Sequence, residues 1–541
     1  MPASEVKTID GAISIKRLRS YRSVWIVVSV VAPLQAFYAA GFIARTSFVV
    51  EGKRYFCLFD DAMISMRYAD NWARGHGLVW NPGQLVEGYT TPLWTMIMGV
   101  CHLLRLSPSL TCLLVQVLGI LILWSCLVGT LCLARSCRLL PPFASCAVVL
   151  VASFYNLIFF TLFGMETGLQ TSMVTFALAG AVESLRRKQG RLTPMLWFAP
   201  AVLVRMDVLP IALFVFLFLC RSVRKSRLSV ISGLLVVVGV VSMHSLWRHY
   251  YYGEWLPNTY YLKLSGWPLM ERLSVGLEQT AWTAATLGLP ALLALAALRR
   301  PKRWHLLLLG SFGLGLAYQV YVGGDAWPLS RFVLPVSVGL LVLAAQGTHQ
   351  VLKLFLSRKS RIGRKAALTL TTLVCIAAIN AIHWDHFLLI SRPQTTAGNR
   401  MNIRYKLAVD KIAKPEAKVA VVWGGAFPYF SRRTCVDLLG KCDPHIARLP
   451  ARPEVRLAGH NKYDLAYSLT SYRPDIIIHA VDIENHVFSR DYRPVMVEID
   501  GTKIVFCVRR DTDKAKGGKS IGWFTFDECL VKTRSEGDRS F

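Results

Sequence analysis

The chain has 541 residues, of which 53% are hydrophobic and only 18% charged, and its formal net charge is +29. Soluble proteins carry roughly 25% charged residues, so this composition is typical of a polytopic membrane protein. Nucleic-acid binding does not explain the charge, because the sequence has no reader motif and its basic residues fall in short clusters between apolar runs.

The first apolar run extends from Val24 to Ala44 and follows a basic segment that includes Lys16, Arg17 and Arg22. About 20 apolar residues are enough for one crossing of a bilayer and exceed the usual apolar core of a signal peptide. We therefore predict an uncleaved first helix with a cytoplasmic N-terminus. The loop that follows, residues 45–91, is long and polar, and it carries two adjacent acids, Asp60 and Asp61.

Seven later apolar runs indicate further membrane helices, separated by basic clusters. The runs are 142–163, 167–184, 228–248, 282–298, 304–322, 331–347 and 367–390. The clusters are Arg186–Arg191, Arg221–Arg227, Arg299–Arg303 and Arg358–Lys365, and we place all four in the cytosol. Residues 192–220 lie between two clusters, so they must cross and return as two short helices hinged at Arg205. Residues 92–134 hold two helices but one net crossing. We predict about eleven crossings plus one partial helix, with residues 1–391 as the transmembrane domain.

The character of the chain changes after residue 391. Residues 392–510 contain short apolar runs typical of strands, and “VMVEIDGTKIVFCV” predicts a hairpin around Asp500 and Gly501. The topology puts this α/β domain outside the cytosol, and the polar tail 511–541 is predicted to be partly disordered. Cys435 and Cys442 can form a disulfide there or remain free thiols. The segment “WGGAFPYF” is either a carbohydrate-binding surface or part of a domain that only covers a cavity.

Six polar segments with unusual residue choice reach the outer face in this topology. They carry Asp60 and Asp61, His76 and Glu87, Glu166, Arg205 and Asp207, Asn258 and Lys263, and Asp325 and Arg331. An ion pair or an interfacial anchor explains any one of them, but not the convergence of six on one side. A carboxylate can deprotonate a hydroxyl group or attack a sugar carbon, and Arg or Lys can hold a phosphate. Two adjacent acids also suit a divalent cation such as Mg²⁺ or Mn²⁺ at Asp60 and Asp61.

The same segments carry a family resemblance. “FDDAMISMRYADNWARGHGLVWNPG”, “VEGYTTPLW”, “GMET”, “VRMD”, “LPNTYYLK” and “GGDAWPLSRFVLP” resemble, in this order, motifs of membrane glycosyltransferases with the GT-C fold. The likeness is closest to the branch that includes the mycobacterial arabinofuranosyltransferase AftB. It continues through “WGGAFPYFSRRTCVDLLGKCDPHIA” and “GHNKYDLAYSLTSYRPDIII”, and so covers most of residues 20–510.

The resemblance implies a transferase that takes a sugar, expected to be arabinofuranose, from a polyprenyl phosphate. Asp60 is predicted to act, as base or nucleophile, with Asp61 in support, and the AftB-like branch implies retention of configuration. Donor-phosphate ligands are predicted at Arg205, Lys263 and Arg331. Sugar or acceptor contacts are predicted at His76, Glu87, Glu166, Asp207, Asn258 and Asp325.

The expected location is the inner membrane of a bacterium, with the C-terminal domain in the periplasm. The expected acceptor is a glycan, a lipopolysaccharide or a surface protein, and the partners include the lipid bilayer but no nucleic acid. Two other interpretations stay open. A transporter or flippase of lipid-linked sugars requires charges midway along helices, and a non-catalytic envelope-assembly protein makes the acidic pair dispensable. We expect a cavity at the outer membrane boundary whose floor holds Asp60 and at least one of Arg205, Lys263 and Arg331.

Overall fold

The computed structural model describes residues 21–325, 327, 329–355, 361–478 and 491–516. Its N-terminal part is helical, and the first outer loop adds a small hairpin, β1 (Phe48–Val50) and β2 (Lys53–Tyr55). The helices as far as residue 252 are α1 (Arg22–Thr46), α2 (Asp60–Ala73), α3 (Pro92–Leu103), α4 (Pro108–Ser136), α5 (Pro141–Ala152), α6 (Tyr155–Leu162), α7 (Thr167–Arg187), α8 (Thr193–Val204), α9 (Leu209–Ser222) and α10 (Arg227–Tyr252).

Six more helices complete this part of the chain. They are α11 (Asn258–Leu264), α12 (Leu269–Ala296), α13 (Arg303–Tyr321), α14 (Leu334–Phe355), α15 (Arg361–Asn380) and α16 (Trp384–Phe387), with 3-10 turns at Met206–Val208, Ala297–Arg299 and Ala381–His383. Six helices in the described residues are long and apolar enough to cross a membrane, and the pair α5 and α6, bent by 48°, makes a seventh if it is one span. The polytopic helical fold is confirmed, and the count of about eleven crossings stays a prediction.

Most predicted helices lie where the apolar runs place them, and the differences have physical causes. The short member of the pair between 92 and 134 is α3, whose 12 residues reach only about 18 Å at 1.5 Å per residue. The helix predicted at 282–298 begins earlier, at Leu269. The apolar run does not show this start, because the first turns of the helix carry the charged residues Glu271 and Arg272. The run 367–390 is interrupted after Asn380, whose side chain accepts a hydrogen bond from the N–H of Tyr155 at 2.9 Å at the start of α6.

Three of the basic clusters meet at one end of the helical bundle. The Arg186 side chain donates a hydrogen bond to the carbonyl oxygen of Ser136 at 3.0 Å. The N–H of Gly190 donates to the carbonyl oxygen of Lys225 at 2.8 Å, and the Arg303 side chain donates to the carbonyl oxygen of Ser222 at 2.8 Å. The fourth cluster lies partly outside the described residues. The positive-inside rule predicts that this end faces the cytosol, which leaves the polar loops at the opposite end.

The C-terminal region forms an α/β domain around one mixed sheet, which confirms the predicted fold class. Its strands are β3 (Val419–Val421), β4 (Cys435–Asp437), β5 (Ile476–Ile477), β6 (Tyr492–Ile499) and β7 (Thr502–Arg509), in the order β4-β3-β5-β7-β6. Its helices are α17 (Thr396–Ile412), α18 (Ala426–Ser431), α19 (Pro444–Arg448) and α20 (Leu465–Tyr472). Strand β3 is parallel to β4 and β5, and β7 is antiparallel to β5 and β6.

The predicted hairpin is present in this domain. Ile499 pairs with Thr502, and the two residues between them, Asp500 and Gly501, have φ values of +50° and +71°. A two-residue turn with positive φ at both positions matches the right-handed twist of the strands. Cys435 and Cys442 are buried free thiols. The predicted tail falls mostly on residues 517–541, outside the described residues.

The domain is docked on the first outer loop by polar contacts. Trp80 donates its indole N–H to the carbonyl oxygen of Gly424 at 3.0 Å, and the Asn81 side chain exchanges two hydrogen bonds with the backbone of Cys435. Arg432 forms a bidentate ion pair with Asp70, in which Nε donates to Oδ2 and Nη2 to Oδ1, both at 3.0 Å. These contacts fix the domain against the C-terminal end of α2 and the loop that follows it.

Candidate active site

A cavity opens where the N-terminal end of α2 meets the C-terminal domain. Phe59 is extended and buried, and the next two residues begin the helix, where the helix dipole favours negative charge. The sequence therefore presents the carboxylates of Asp60 and Asp61 side by side. The cavity and the solvent-open space at its mouth together hold about 440 Å³ of empty space, and the lining residues are Phe59, Asp60, Asp61, Lys263, Asp325, Trp327, Arg331, Thr395, Trp423, Lys441, Ala458, Gly459 and His460.

Asp60 is anchored by the turn that precedes α18. Its Oδ1 accepts a hydrogen bond from the N–H of Ala426 at 3.1 Å, and its Oδ2 is buried with no partner among the described residues. Burial raises the pKa of the Asp60 carboxyl, Lys441 opposes the rise, and the negative charge of Asp61 adds to it. Because a base becomes stronger as its pKa rises, Asp60 is the stronger base of the two acids.

Asp61 lies among cations and is held in the ionised form. Its Oδ2 accepts from Nη1 of Arg331 at 3.3 Å, and its Oδ1 lies 3.6 Å from Nζ of Lys441. Burial alone would raise the pKa of this carboxyl, but the charges of Lys441, Arg331 and Lys263 together lower it below its usual range. The Asp61 side chain is 33% exposed and lines the cavity.

Two of the predicted phosphate ligands, Lys263 and Arg331, lie in this cavity. Arg331 is buried and contacts Asp325 at 2.9 Å through Nη2, and its Nε has no partner within the described part of the chain. Burial lowers the pKa of Lys263 to about 8, and the charge of Arg331 adds to the effect. Within the described residues the side chain of Lys263 forms no hydrogen bond or ion pair. An ammonium group without a partner beside a guanidinium is suited to a phosphate.

The C-terminal domain supplies cavity residues that were not predicted as site residues, among them Lys441, Trp423 and His460. All three fall in the segments “WGGAFPYF”, “LLGKCDPHIA” and “GHNKYD” that carry the family resemblance. The signal that could have found Lys441 is that it is the one basic residue between Val436 and Cys442, where Asp437 is the only other charged residue. The domain therefore forms one wall of the cavity.

The loop that holds Lys441 is fixed from both sides. The Asn258 side chain donates to the carbonyl oxygens of Gly440 and Lys441 at 2.9 and 3.0 Å. The carboxylate of Asp437 accepts from the N–H groups of Leu439 at 3.0 Å and Cys442 at 2.7 Å. Burial lowers the pKa of Lys441, but Asp61 and Asp60 raise it by more, so the ammonium form prevails. Asn258, predicted as a sugar contact, thus positions the Lys441 loop.

The structure does not bring Arg205, Glu166 and Asp207 to the cavity. They form a separate buried cluster, in which Arg205 contacts Glu166 at 2.7 Å and Asp207 at 2.6 Å and lies over the ring of Phe332 at 4.8 Å. Because its guanidinium is already paired with two carboxylates, Arg205 has little charge to offer a donor phosphate. The expectation of a shared cavity with Asp60 is met by Lys263 and Arg331 instead.

Glu87 and His76, both predicted as sugar or acceptor contacts, also lie away from the cavity. Glu87 is buried in an ion pair with Arg248, and its carbonyl oxygen accepts from the N–H of Asn258 at 3.1 Å. His76 is exposed on the outer loop. Glu87 therefore joins the outer loop to α10 and α11. Of the residues predicted as sugar or acceptor contacts, only Asp325 is among the residues that line the cavity.

The carboxylates around the cavity do not match a divalent-cation site built by protein alone. The described residues contain no group of three or more His, Cys, Asp or Glu side chains placed to hold a metal ion. Asp61 already has Arg331 and Lys441 beside it, and these cations occupy the place that a metal ion would take. The predicted Mg²⁺ or Mn²⁺ site is not supported by this donor set.

Comparisons with known proteins place this architecture. A family model described as a domain of unknown function, DUF8728, matches residues 392–517. No curated protein matches the sequence. Among solved structures, ArnT from Cupriavidus metallidurans is 12% identical with a TM-score of 0.56 and covers 89% of this chain and 97% of its own. The same protein bound to undecaprenyl phosphate is 12% identical with a TM-score of 0.55 and covers 91% of this chain and 99% of its own.

An archaeal protein shows the same fold. The oligosaccharyltransferase AglB from Archaeoglobus fulgidus, in complex with an inhibitory peptide and a dolichol-phosphate, is 10% identical with a TM-score of 0.53 and covers 91% of this chain and 75% of its own. The chain therefore has the GT-C fold of membrane glycosyltransferases and is a multi-pass membrane protein. These structures do not distinguish the AftB-like branch from others, so that assignment stays a prediction.

Proposed function

We propose that this protein is a glycosyltransferase that moves a sugar from a polyprenyl-phosphate donor to an acceptor outside the cytosol. The observation that carries the proposal is the cavity itself, in which Asp60 and Asp61 lie beside Lys263, Arg331 and Lys441. Acids can act on a sugar carbon or a hydroxyl group, and cations can hold the phosphate that leaves. ArnT and AglB, which share the fold, have been solved with undecaprenyl phosphate and a dolichol-phosphate bound.

The proposed reaction breaks the bond between the anomeric carbon and the phosphate oxygen. In a retaining reaction the Asp60 carboxylate attacks the anomeric carbon and polyprenyl phosphate leaves. An acceptor hydroxyl then displaces Asp60 from the sugar, and its proton passes to an oxygen of the released phosphate. In an inverting reaction Asp60 instead removes the proton of an acceptor hydroxyl that attacks directly. Asp60 is preferred over Asp61 because its Oδ2 has no partner and its pKa is raised, whereas Asp61 is held by two cations.

The finer assignments rest on the family resemblance. We propose arabinofuranose as the sugar, a retaining course, and a glycan, lipopolysaccharide or surface protein as the acceptor. The proposed location is the inner membrane of a bacterium, with the basic end of the bundle in the cytosol. The cavity and the C-terminal domain then face the periplasm, where a donor carried by a lipid can reach them.

The test is turnover by the purified full-length protein in lipid nanodiscs. The substrates are synthetic decaprenyl-phospho-arabinofuranose, a panel of other polyprenyl-phospho sugars, and an oligosaccharide acceptor, with release of polyprenyl phosphate as the readout. We expect Asp60→Asn to lower turnover at least about 100-fold, since a general base or nucleophile contributes on that scale. The exposed Asp385 is a matched control, and Asp385→Asn is expected to retain wild-type turnover.

Each result of this experiment has a separate meaning. Failure of the wild type to release polyprenyl phosphate from any lipid-linked sugar contradicts the glycosyltransferase and leaves a transporter or an assembly protein. Turnover of other sugars but not arabinofuranose contradicts only the sugar. Full turnover by both Asp60→Asn and Asp61→Asn contradicts the role of the acidic pair. The anomeric configuration of the product, read by NMR, decides between retention and inversion.

A further inference from the structure

Several polar atoms that line the cavity have no partner among the described residues. Besides Asp60 Oδ2 and Arg331 Nε, they are Oγ1 of Thr395 and Nε2 of His460, and all four are buried. Buried polar groups in native proteins nearly always have hydrogen-bond partners. The first two belong to the acids and cations described above. The other two lie in a wall of the cavity that has no assigned role and indicate a ligand that supplies the missing partners.

His460 presents a hydrogen-bond acceptor to the cavity. Its Nδ1 lies 3.2 Å from the carbonyl oxygen of Ala458, and because a carbonyl oxygen only accepts, Nδ1 carries the proton. Burial and the charge of Lys441 lower the pKa of His460 to about 4, so the ring is neutral near pH 7. Its Nε2 therefore accepts, and the group that satisfies it must be a donor such as a sugar hydroxyl. A phosphate oxygen cannot fill this role.

Thr395 and Trp423 line the same cavity as His460. Thr395 has a φ of +71°, a conformation that β-branched residues rarely adopt, and its Oγ1 is buried without a partner. Such strained residues concentrate at functional sites. The Trp423 ring lies beside His460, with 5.7 Å between the ring centroids, and it is only half-buried. An aromatic face next to hydrogen-bonding groups is the surface that a sugar ring requires, since the ring has apolar C–H groups on its faces and hydroxyls at its rim.

We propose that Thr395, Trp423 and His460 form the subsite that binds the sugar ring of the lipid-linked donor. Trp423 packs against one face of the ring, and Thr395 and His460 hydrogen-bond to its hydroxyls. The inference rests on the proposed function and adds the part of the site that recognises the sugar.

The position of the phosphate ligands agrees with this subsite. A Cβ on Gly459 would lie 3.2 Å from Cε of Lys263, so the backbone at Gly459, just before His460, packs against the lysine side chain. A phosphate held by Lys263 therefore places the attached sugar beside His460 and Trp423. The C-terminal domain thus selects the sugar, whereas the transmembrane domain holds the phosphate.

The experiment compares two kinds of lipid on the full-length protein in nanodiscs. One is decaprenyl phosphate without a sugar, and the other is a panel of decaprenyl-phospho pentoses and hexoses, with the dissociation constant measured for each. We expect the wild type to bind at least one sugar-bearing lipid more tightly than decaprenyl phosphate. We expect His460→Leu and Thr395→Val each to weaken that binding roughly 3- to 10-fold, the effect of one neutral hydrogen bond, and to leave decaprenyl phosphate binding unchanged.

His460→Gln is the matched control, because its side-chain oxygen can replace the Nε2 acceptor, and it is expected to retain most of the affinity. A wild type that gains nothing from any sugar overturns the subsite while leaving the phosphate site intact. Equal losses for both kinds of lipid also overturn it, since they indicate a structural role. If the wild type binds neither lipid, the proposed function itself fails. Should His460→Leu not fold, as judged by thermal unfolding, Thr395→Val and Trp423→Leu decide by the same comparison.

Discussion

At the scale of single residues, Lys441 is the neighbouring charge with the strongest effect on Asp60 and Asp61, the two proposed catalytic acids. Among the neighbouring charges it is the largest influence that lowers the pKa of Asp60 and of Asp61. Its ammonium group is buried and lies 3.6 Å from Oδ1 of Asp61. Without this charge two adjacent carboxylates would share a pocket from which much of the water is excluded, and one would take up a proton. Lys441 is therefore expected to keep the pair ionised.

We predict that Lys441→Ala lowers turnover roughly 100-fold, the scale found when one electrostatic contact to reacting groups is removed. Since the lysine lowers the pKa of both acids, its loss raises them, and the acidic limb of the pH–rate profile moves to higher pH. Added ethylamine is expected to restore part of the activity by filling the vacated space. Lys411→Ala, at an exposed lysine, serves as control. An unchanged pH–rate profile in Lys441→Ala would contradict this role.

Metal dependence is a separate question, tested on the wild type. A loss of wild-type activity in EDTA would show that a divalent cation is also needed.

At the residue level, five of the side chains predicted from the sequence line the cavity, and their roles stay predictions. Asp60, Asp61, Lys263, Asp325 and Arg331 all reach the cavity, because polar residues at helix ends on one side of a bundle converge. Four of the other predicted residues, Glu87, Glu166, Arg205 and Asp207, form buried ion pairs that a single sequence does not reveal. Arg205 with Glu166 and Asp207, and Glu87 with Arg248, are ion pairs between segments far apart in the chain. Charge and position identify candidates, but only the fold shows which of them are neutralised.

At the scale of elements, the turn between β3 and α18 brings the C-terminal domain against Asp60, the proposed catalytic acid. The N–H of Ala426 donates to Asp60 at 3.1 Å, which requires the backbone of the turn to lie directly against α2. Gly425 makes this approach possible, because a Cβ there would lie 2.1 Å from the backbone oxygen of Asp60 and 2.5 Å from its Oδ1. The glycine is needed for the closeness of two chain segments, and its φ of −101° is open to other residues.

The two adjacent glycines of this turn provide a matched pair of variants. Gly425→Ala must displace Asp60 or the turn, and we predict a loss of turnover of about 100-fold, since small misplacements of reacting groups have effects of this size. Gly424→Ala places its methyl group 3.8 Å from Trp80 and 3.9 Å from Ile64, an ordinary contact, and is expected to retain most activity. Turnover and thermal unfolding of both variants test this. Equal activity of the two would show that the turn does not position Asp60.

Predictions of helices and strands are correct where a local sequence pattern determines the element, and they miss features that depend on contacts with distant segments. Apolar runs identify most helices, and the Asp500-Gly501 turn identifies the β6–β7 hairpin, because both signals are local. The polar first turns of α12 and the break after Asn380 are missed, since they depend on contacts beyond the bilayer and with α6. The parallel pairing of β3 with β4 and β5 is also invisible in three-residue or shorter strands.

At the scale of the whole molecule, the cavity belongs to two domains at once. The transmembrane domain contributes Asp60, Asp61, Lys263 and Arg331, and the C-terminal domain contributes Lys441 and the wall around Trp423 and His460. The sequence predicts a domain on the correct side of the bundle, but it leaves open whether that domain only covers the cavity. The answer comes from the docking contacts, which join residues more than 300 positions apart.

A second cavity lies between the start of α12 and residues 452–456 of the C-terminal domain and offers an alternative place for a lipid headgroup. It holds about 850 Å³ of empty space, solvent-open space included, and is lined by residues that include Trp267, Glu271, Arg452 and Arg456. Its arginines are exposed and already form ion pairs with Glu454 and Glu278, and it contains no acidic pair. The first cavity therefore stays the proposed donor site.

The most direct measurement is a cryo-electron microscopy structure of the full-length protein with a polyprenyl-phospho sugar that it binds. Asp60→Asn is the variant of choice, since slow turnover keeps the donor intact. We predict the phosphate within hydrogen-bonding distance of Lys263 or Arg331, the anomeric carbon facing the acidic pair, and the lipid tail directed into the bilayer. A headgroup bound in the second cavity, or at the basic end of the helical bundle, would contradict a catalytic centre at Asp60 and Asp61.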